Sequence, residues 1–178
     1  MRLRKPVVMV GMMGAGKTAV GTQLARNLRV PFIDSDEEIE RATNLSIAEI
    51  FEREGEPFFR DKETRVLSRL LVGTPMVLST GGGAFLAAAN REAIALNGVS
   101  VWLRADLDLL WHRVRHKTTR PILRTTDPRE TLRALFVART PVYALADVAV
   151  DAAPDLSIDA MARRVMEALR GRADTLDV

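Results

Sequence analysis

The octapeptide Gly11-Met12-Met13-Gly14-Ala15-Gly16-Lys17-Thr18 constrains this chain more than any other stretch. It fits the pattern G-x-x-x-x-G-K-[ST] and stands between two segments of different periodicity. Ahead of it, residues 6–10 (PVVMV) form a continuous β-branched apolar run, as in a strand buried on both faces. Behind it, residues 17–28 place Val20, Leu24 and Leu28 on one helical face. Strand, glycine-rich turn and helix in that order make a phosphate cradle. The glycines let the backbone curl until several N–H groups face one anion, and the helix start adds the positive end of its dipole. Lys17 is expected to reach the β- and γ-phosphates, and Thr18 to offer its hydroxyl to Mg²⁺. Phosphates with magnesium make phosphoryl transfer or nucleotide hydrolysis the reaction class. The competing reading is a glycine-rich turn with an incidental lysine; the strand before it and the helix after it favour the cradle.

The rest of the chain repeats the alternation. Strands are expected at 31–34 (PFID), 75–79 (PMVLS), 99–103 (VSVWL) and, weakly, 147–151 (DVAVD). Helical patterns cover 46–54, 60–71, 86–97, 106–115, 129–139 and 156–169. Ser46 and Glu49 are spaced as a capping box, and Gly55 closes that helix as a C′ residue. Strands that are apolar throughout and alternate with helices predict a parallel sheet covered on both faces. The expected architecture is α/β: one domain over 1–178, a P-loop three-layer sandwich with a five-stranded parallel sheet, helices on both faces and a lid segment. The lid falls on the polar stretch at about 116–127, and residues 171–178 read as a loose tail.

Composition narrows the class. The chain has no cysteine, which excludes a disulfide framework, a thiolate metal site and a cysteine nucleophile. No apolar run approaches the roughly 18 residues of a membrane helix, and the start MRLRK is not followed by a signal-peptide pattern. A cytoplasmic protein is expected. The net charge is +3, but the arginines are scattered and aromatics are only 5%, so a nucleic-acid surface is not expected.

Within residues 31–40 (PFIDSDEEIE), Asp34 and Asp36 flank Ser35 where a strand hands over to a helix. The third strand ends Leu78-Ser79-Thr80-Gly81-Gly82-Gly83 without an acid, so the usual magnesium carboxylate is missing there. Neither N-K-x-D nor D-x-x-G, the marks of a GTPase, is found. If the backbone stays extended, Asp34 and Asp36 point to one side. Asp34 then faces magnesium and its waters, and Asp36 an incoming hydroxyl. The alternative is that both are N-cap and first-turn residues beside Glu37 and Glu38.

With these features the chain resembles the shikimate kinase family. The carrying motifs, in order, are GMMGAGKT, FIDSD, GEPFFRDKE, STGGGA, TRPIL and RTPVY, and they span roughly residues 5–170. The resemblance implies transfer of the ATP γ-phosphoryl group to the 3-hydroxyl of shikimate, in chorismate and aromatic amino acid biosynthesis. It implies ATP contacts at Gly11, Gly14, Ala15, Gly16, Lys17, Thr18, Ala19, Arg113 and Arg120, and one Mg²⁺ held by Thr18 and Asp34. It implies shikimate binding by Asp36, Arg60, Gly81, Gly82, Gly83 and Arg139, with the two arginines on the carboxylate, and catalytic roles for Asp36, Lys17 and Arg120. One departure stands out: Ala152 precedes Pro154 where many members carry an arginine against the adenine. A monomer acting on small molecules is expected. The rivals are a gluconate or nucleoside monophosphate kinase of the same fold, and a silent nucleotide-binding protein. Read without the family, Arg60, Arg120 and Arg139 could be surface or helix-capping charges, and Gly81 to Gly83 only a tight turn.

Overall fold

The computed structural model describes residues 1–117 and 123–177. Five parallel strands form the main sheet: β2 (Val7–Val10), β3 (Phe32–Asp34), β4 (Val77–Ser79), β5 (Val99–Arg104) and β6 (Val148–Asp151). Their order is β3-β4-β2-β5-β6. Val7 pairs with Val77 on one side and Val99 on the other, so the strand that feeds the glycine loop is central. Val7, Val8, Met9 and Val10 are almost wholly buried, which is why the run shows no alternation of apolar and polar residues.

Helix α1 (Lys17–Leu28) carries the chain from β2 to the edge strand β3. Then come α2 (Ser35–Thr43), α3 (Ile47–Arg53) and α4 (Glu56–Leu71). After β4, a 3-10 turn (Ala84–Leu86) and α5 (Ala88–Asn97) lead back across β2 to β5. The remaining helices are α6 (Leu107–Val114), α7 (Pro128–Tyr143) and α8 (Ile158–Arg170). Helices cover both faces of the sheet, as expected. The crossovers from β2 and β4, which are neighbours, run in opposite directions; the carboxyl ends of such strands open a crevice for ligand. A separate small core of Ile39, Ile50, Phe59 and Val66 ties α2, α3 and α4 together beside it.

Local chemistry explains several boundaries. Ser46 caps α3 by accepting the Glu49 N–H, and Gly55, at φ +84°, follows the C-cap Glu54. The helix at 129–139 runs further than the sequence suggests, to Tyr143 and through Pro141. Pro141 cannot donate to the carbonyl of Val137, but Val137 is exposed and its carbonyl can turn to water. Of the lid expected at 116–127, residues 118–122 lie outside the described residues. Leu123 is buried in the main core.

The expectation of a loose tail at 171–178 is overturned. β7 (Leu176–Asp177) pairs antiparallel with β1 (Arg2–Leu3), and Thr175 and Leu176 are buried. Arg4 and Lys5 make ion pairs with Asp177 and Asp174. These strands have two residues each and meet only after the chain has folded, so no periodicity announces them. Truncation after Ala173 exposes Leu3 and removes Leu176, about 2–3 kcal/mol of apolar burial. The midpoint of thermal unfolding should fall by roughly 4–10 °C; an unchanged midpoint would show that the pairing contributes nothing.

Candidate active site

The glycine loop closes around its own lysine. Gly11, Gly14 and Gly16 have φ of +139°, +81° and +95°, a region other residues rarely adopt. A Cβ on Gly14 would also lie 2.7 Å from Val114 Cγ1, so α6 leaves no room there. Gly16 is the N-cap of α1 and offers no capping side chain, leaving the first-turn N–H groups directed at the cleft. The Lys17 ammonium is buried and donates to the carbonyls of Gly11 (2.6 Å) and Met12 (3.0 Å). From α6, Arg113 Nη1 donates to Gly14 O (3.0 Å) and Ala15 O (3.2 Å), binding the far rim of the loop.

A cleft of about 650 Å³ opens over this loop. Thr18, Ala19, Asp34, Asp36, Ser79, Thr80, Gly81, Gly82 and Arg113 all line it. Ala152 lies on its wall with Leu156, Ile158 and Met161, so the place of the absent arginine is apolar. Arg120 lies outside the described residues. Arg60, Gly83 and Arg139 are not on the cleft wall itself; they gather at its margin around the glycine run.

Asp34 and Asp36 do not share one extended strand, contrary to the expectation from alternation. The chain becomes helical at Ser35, and Asp34 is the N-cap of α2. Its Oδ1 accepts from the N–H of Asp36 (2.9 Å) and of Glu37 (3.4 Å). A short acid is among the best N-caps, and that preference wins over strand alternation. Yet both carboxylates still line the cleft. The cap bonds fix the Asp34 rotamer through one oxygen, and the first helical turn swings Asp36 towards β4. The capping and ligand-facing roles coexist.

Asp36 Oδ1 is buried without a hydrogen-bond partner. Burial, reinforced by the charge of Asp34, pushes its pKa up to about 6; Lys17 and Arg60 oppose the rise and Glu40 adds to it. On α4, Arg60 Nη1 contacts Glu63 Oε1 at 2.9 Å, and Arg60 Nη2 contacts Glu56 Oε1 at 3.3 Å. Glu63 is wholly buried, and burial raises its pKa while Arg60 holds it down. On α7, Tyr143 is buried; its hydroxyl donates to Gly82 O and, like Arg139 Nη1, stands beside Gly82.

These groups meet on the glycine run, one per residue. A Cβ on Gly81 would stand 3.2 Å from Asp36 Oδ1. On Gly82 it would stand 3.0 Å from Arg139 Nη1, and on Gly83 2.5 Å from Arg60 Nη2. None of the three has a positive φ, so what demands glycine here is space and not turn geometry. One carboxylate and two guanidinium groups therefore face a bare strip of backbone beside the phosphate loop. Such a set can hold an anionic, hydroxylated molecule against a nucleotide's terminal phosphate.

Glu63 ends GEPFFRDKE and Tyr143 ends RTPVY, but no role is legible for them in sequence. Glu63 is three residues after Arg60, a spacing that pairs side chains on a helix. Tyr143 is four after Arg139, a relation visible only if the helix is carried through Pro141.

A family model described as shikimate kinase matches residues 13–170. The chain is 69% identical to a shikimate kinase of Cereibacter sphaeroides, over 99% of this chain and 88% of that one. It is 65% identical to one of Ruegeria pomeroyi, over 99% and 90%. The fold is similar to that of a shikimate kinase from Acinetobacter baumannii in complex with shikimate. That match has a TM-score of 0.88 and 38% identity, covering 95% of this chain and 94% of that one.

Proposed function

The chain belongs to the shikimate kinase family and is an ATP-dependent kinase with an alcohol acceptor; from that premise we propose how its residues carry out transfer of the γ-phosphoryl group to the 3-hydroxyl of shikimate. The observation that carries the reading is the pairing of Gly81, Gly82 and Gly83 with Asp36, Arg139 and Arg60. A carboxylate suits a guanidinium fork, and a hydroxyl suits an unpartnered acid oxygen.

Arg139 and Arg60 take the carboxylate of shikimate, which turns the ring so that one hydroxyl meets Asp36. Asp36 accepts a hydrogen bond from that hydroxyl and takes its proton as the O–P bond forms. Lys17 leaves its carbonyl partners for the β- and γ-phosphates, and the N–H groups at the start of α1 hold the β-phosphate. Gly11, Gly14, Ala15, Gly16, Thr18 and Ala19 shape that cradle. Arg113 flanks the nucleotide, with the apolar wall around Ala152 beneath the base. Arg120, outside the described residues, neutralises phosphate charge from the lid over 116–127.

Thr18 and Asp34 fit one Mg²⁺. Both line the cleft, and the cap bonds use only Oδ1 of Asp34, leaving its other oxygen for the ion or its waters. An ion held by these two residues completes its shell with water and phosphate oxygens. When bound, the ion supplies charge neutralisation on the transferring phosphate. We take the enzyme to act as a monomer on its small-molecule substrates, shikimate and ATP. No helix among the described residues is long and apolar enough to cross a membrane, and we place the enzyme in the cytoplasm with its nucleotide.

ADP release with shikimate, gluconate and AMP as acceptors tests the assignment. Shikimate alone should support turnover. Turnover with gluconate or AMP and none with shikimate would move the protein to a neighbouring kinase class; nucleotide binding without any turnover would make it a silent binder. The glycine run gives a second test. In Gly83→Ala the new methyl lands on the end of Arg60, which must shift against its ion pair with buried Glu63, so some loss of stability is expected beside the loss of binding. KM for shikimate should rise about 10- to 100-fold, the loss of one charge-assisted contact. An unchanged KM would remove Arg60 from the acceptor site.

A further inference from the structure

The two arginines of the acceptor site are held by opposite means. Arg60 sits against two carboxylates, buried Glu63 and exposed Glu56. Arg139 makes no ion pair among the described residues; its neighbour at Gly82 is the neutral hydroxyl of Tyr143, a Cβ there standing 3.0 Å from Arg139 Nη1 and 3.7 Å from the Tyr143 oxygen. We propose that Tyr143 is a positioning residue that aims Arg139 without neutralising it, so that Arg139, more than Arg60, carries the charge that selects a carboxylated acceptor. The proposal rests on the functional reading above and assigns the source of its substrate charge specificity.

The geometry supports this division. A phenol has one donor and two lone pairs. Here the donor goes to Gly82 O, and the lone pairs are left facing the side on which Arg139 Nη1 also approaches Gly82. One atom thus stands between the guanidinium and the backbone strip beneath it. The phenol cannot drift, because its ring is buried with its centroid 6.1 Å from that of Trp102. Trp102 in turn abuts the start of the phosphate loop, where a Cβ on Gly11 would lie 3.3 Å from Trp102 Cδ1. Burial also raises the phenol pKa above its ordinary value, so the hydroxyl remains protonated and uncharged through the neutral range. A carboxylate in the same place would hold Arg139 equally well and cancel the charge that the substrate needs. Arg60 is compensated in just that way, which suits orientation more than charge selection.

Tyr143 is the chain's single tyrosine, which makes the test clean. Steady-state constants for shikimate and for its uncharged methyl ester are to be compared in wild type, Tyr143→Phe, Arg139→Gln and Arg60→Gln. Tyr143→Phe should raise KM for shikimate roughly 10- to 30-fold, as expected for loss of one polar contact to a charged group. It should leave KM for ATP within about twofold, and it should shrink the preference for the acid over the ester. Arg139→Gln should erase that preference further than Arg60→Gln. Equal losses on acid and ester in Tyr143→Phe, or a larger loss of preference in Arg60→Gln, would overturn the proposal while an active wild type keeps the functional reading. A wild type that ignores shikimate would remove both. Should the phenylalanine variant not fold, 3-fluorotyrosine incorporated throughout labels only this residue. Its fluorine resonance should move on adding shikimate and stay with the methyl ester; the same movement with both would overturn the proposal.

Discussion

Asp36→Asn should lower kcat by about 10²- to 10⁴-fold, the range for loss of a positioned general base, while ATP still binds. The asparagine keeps the size of the side chain and, in α2, leaves Asp34 and its cap bonds in place. What it loses is the unpartnered oxygen facing Gly81 and the charge on it. The same change should raise stability at pH 7. The folded-state pKa of Asp36, about 6, lies above the ordinary 3.8, so the folded protein binds the extra proton between these values. That contribution is present in full below about 4 and is lost as pH rises through about 6. At pH 7 the wild type therefore holds a carboxylate that its site disfavours, and asparagine relieves it. The midpoint of unfolding should be higher in the variant at pH 7, with the gap closing towards pH 4. In the wild type, kcat/KM should fall about tenfold per pH unit below about 6, as the base of the free enzyme becomes protonated. A variant with near-normal kcat would show that Asp36 is not the base, and one less stable at pH 7 would show that its carboxylate is not disfavoured by the site.

Lys17→Met should reduce kcat by a further comparable factor, about 10²- to 10³-fold, as when one preorganised electrostatic donor is removed. The ammonium is buried at the mouth of α1, with loop carbonyls of Gly11 and Met12 as partners. Those bonds hold it at the point where the phosphates enter, so it need only change acceptors when nucleotide arrives. Methionine fills a similar volume without charge, and the loop glycines keep their conformation. Single-turnover measurement with ATP and shikimate separates transfer from product release. A variant that transfers at the wild-type rate would mean that Lys17 holds the loop and not the phosphate.

Most of the sheet is legible in the sequence because its strands are buried on both faces. Runs such as Val7 to Val10 and Val99 to Leu103 have no reading other than an interior strand or a buried helix, and their length excludes the helix. The phosphate loop is legible because its function demands glycine conformations and a lysine at fixed spacing. Asp34 is the instructive failure. Strand alternation and N-capping predict different side-chain directions for the same two acids, and only the backbone decides that the helix begins at Ser35. The β1–β7 pair is invisible for another reason: its strands are too short for periodicity, and they pair across the whole chain. Glu63 and Tyr143 act only through arginines placed by the fold, so their roles appear once α4 and α7 face the glycine run. Spacing alone cannot show that Gly81 to Gly83 are glycines for want of room.

In the proposed mechanism two arginines fix the carboxylate end of the acceptor so that one particular hydroxyl meets Asp36. Phosphorus–proton correlation spectroscopy of the product formed from ATP and shikimate reads this directly. A single phosphorylated product is expected, its phosphorus coupled to the ring proton at the 3-position. A phosphorus coupled to another ring proton, a mixture of phosphate esters, or inorganic phosphate with unreacted shikimate would contradict it.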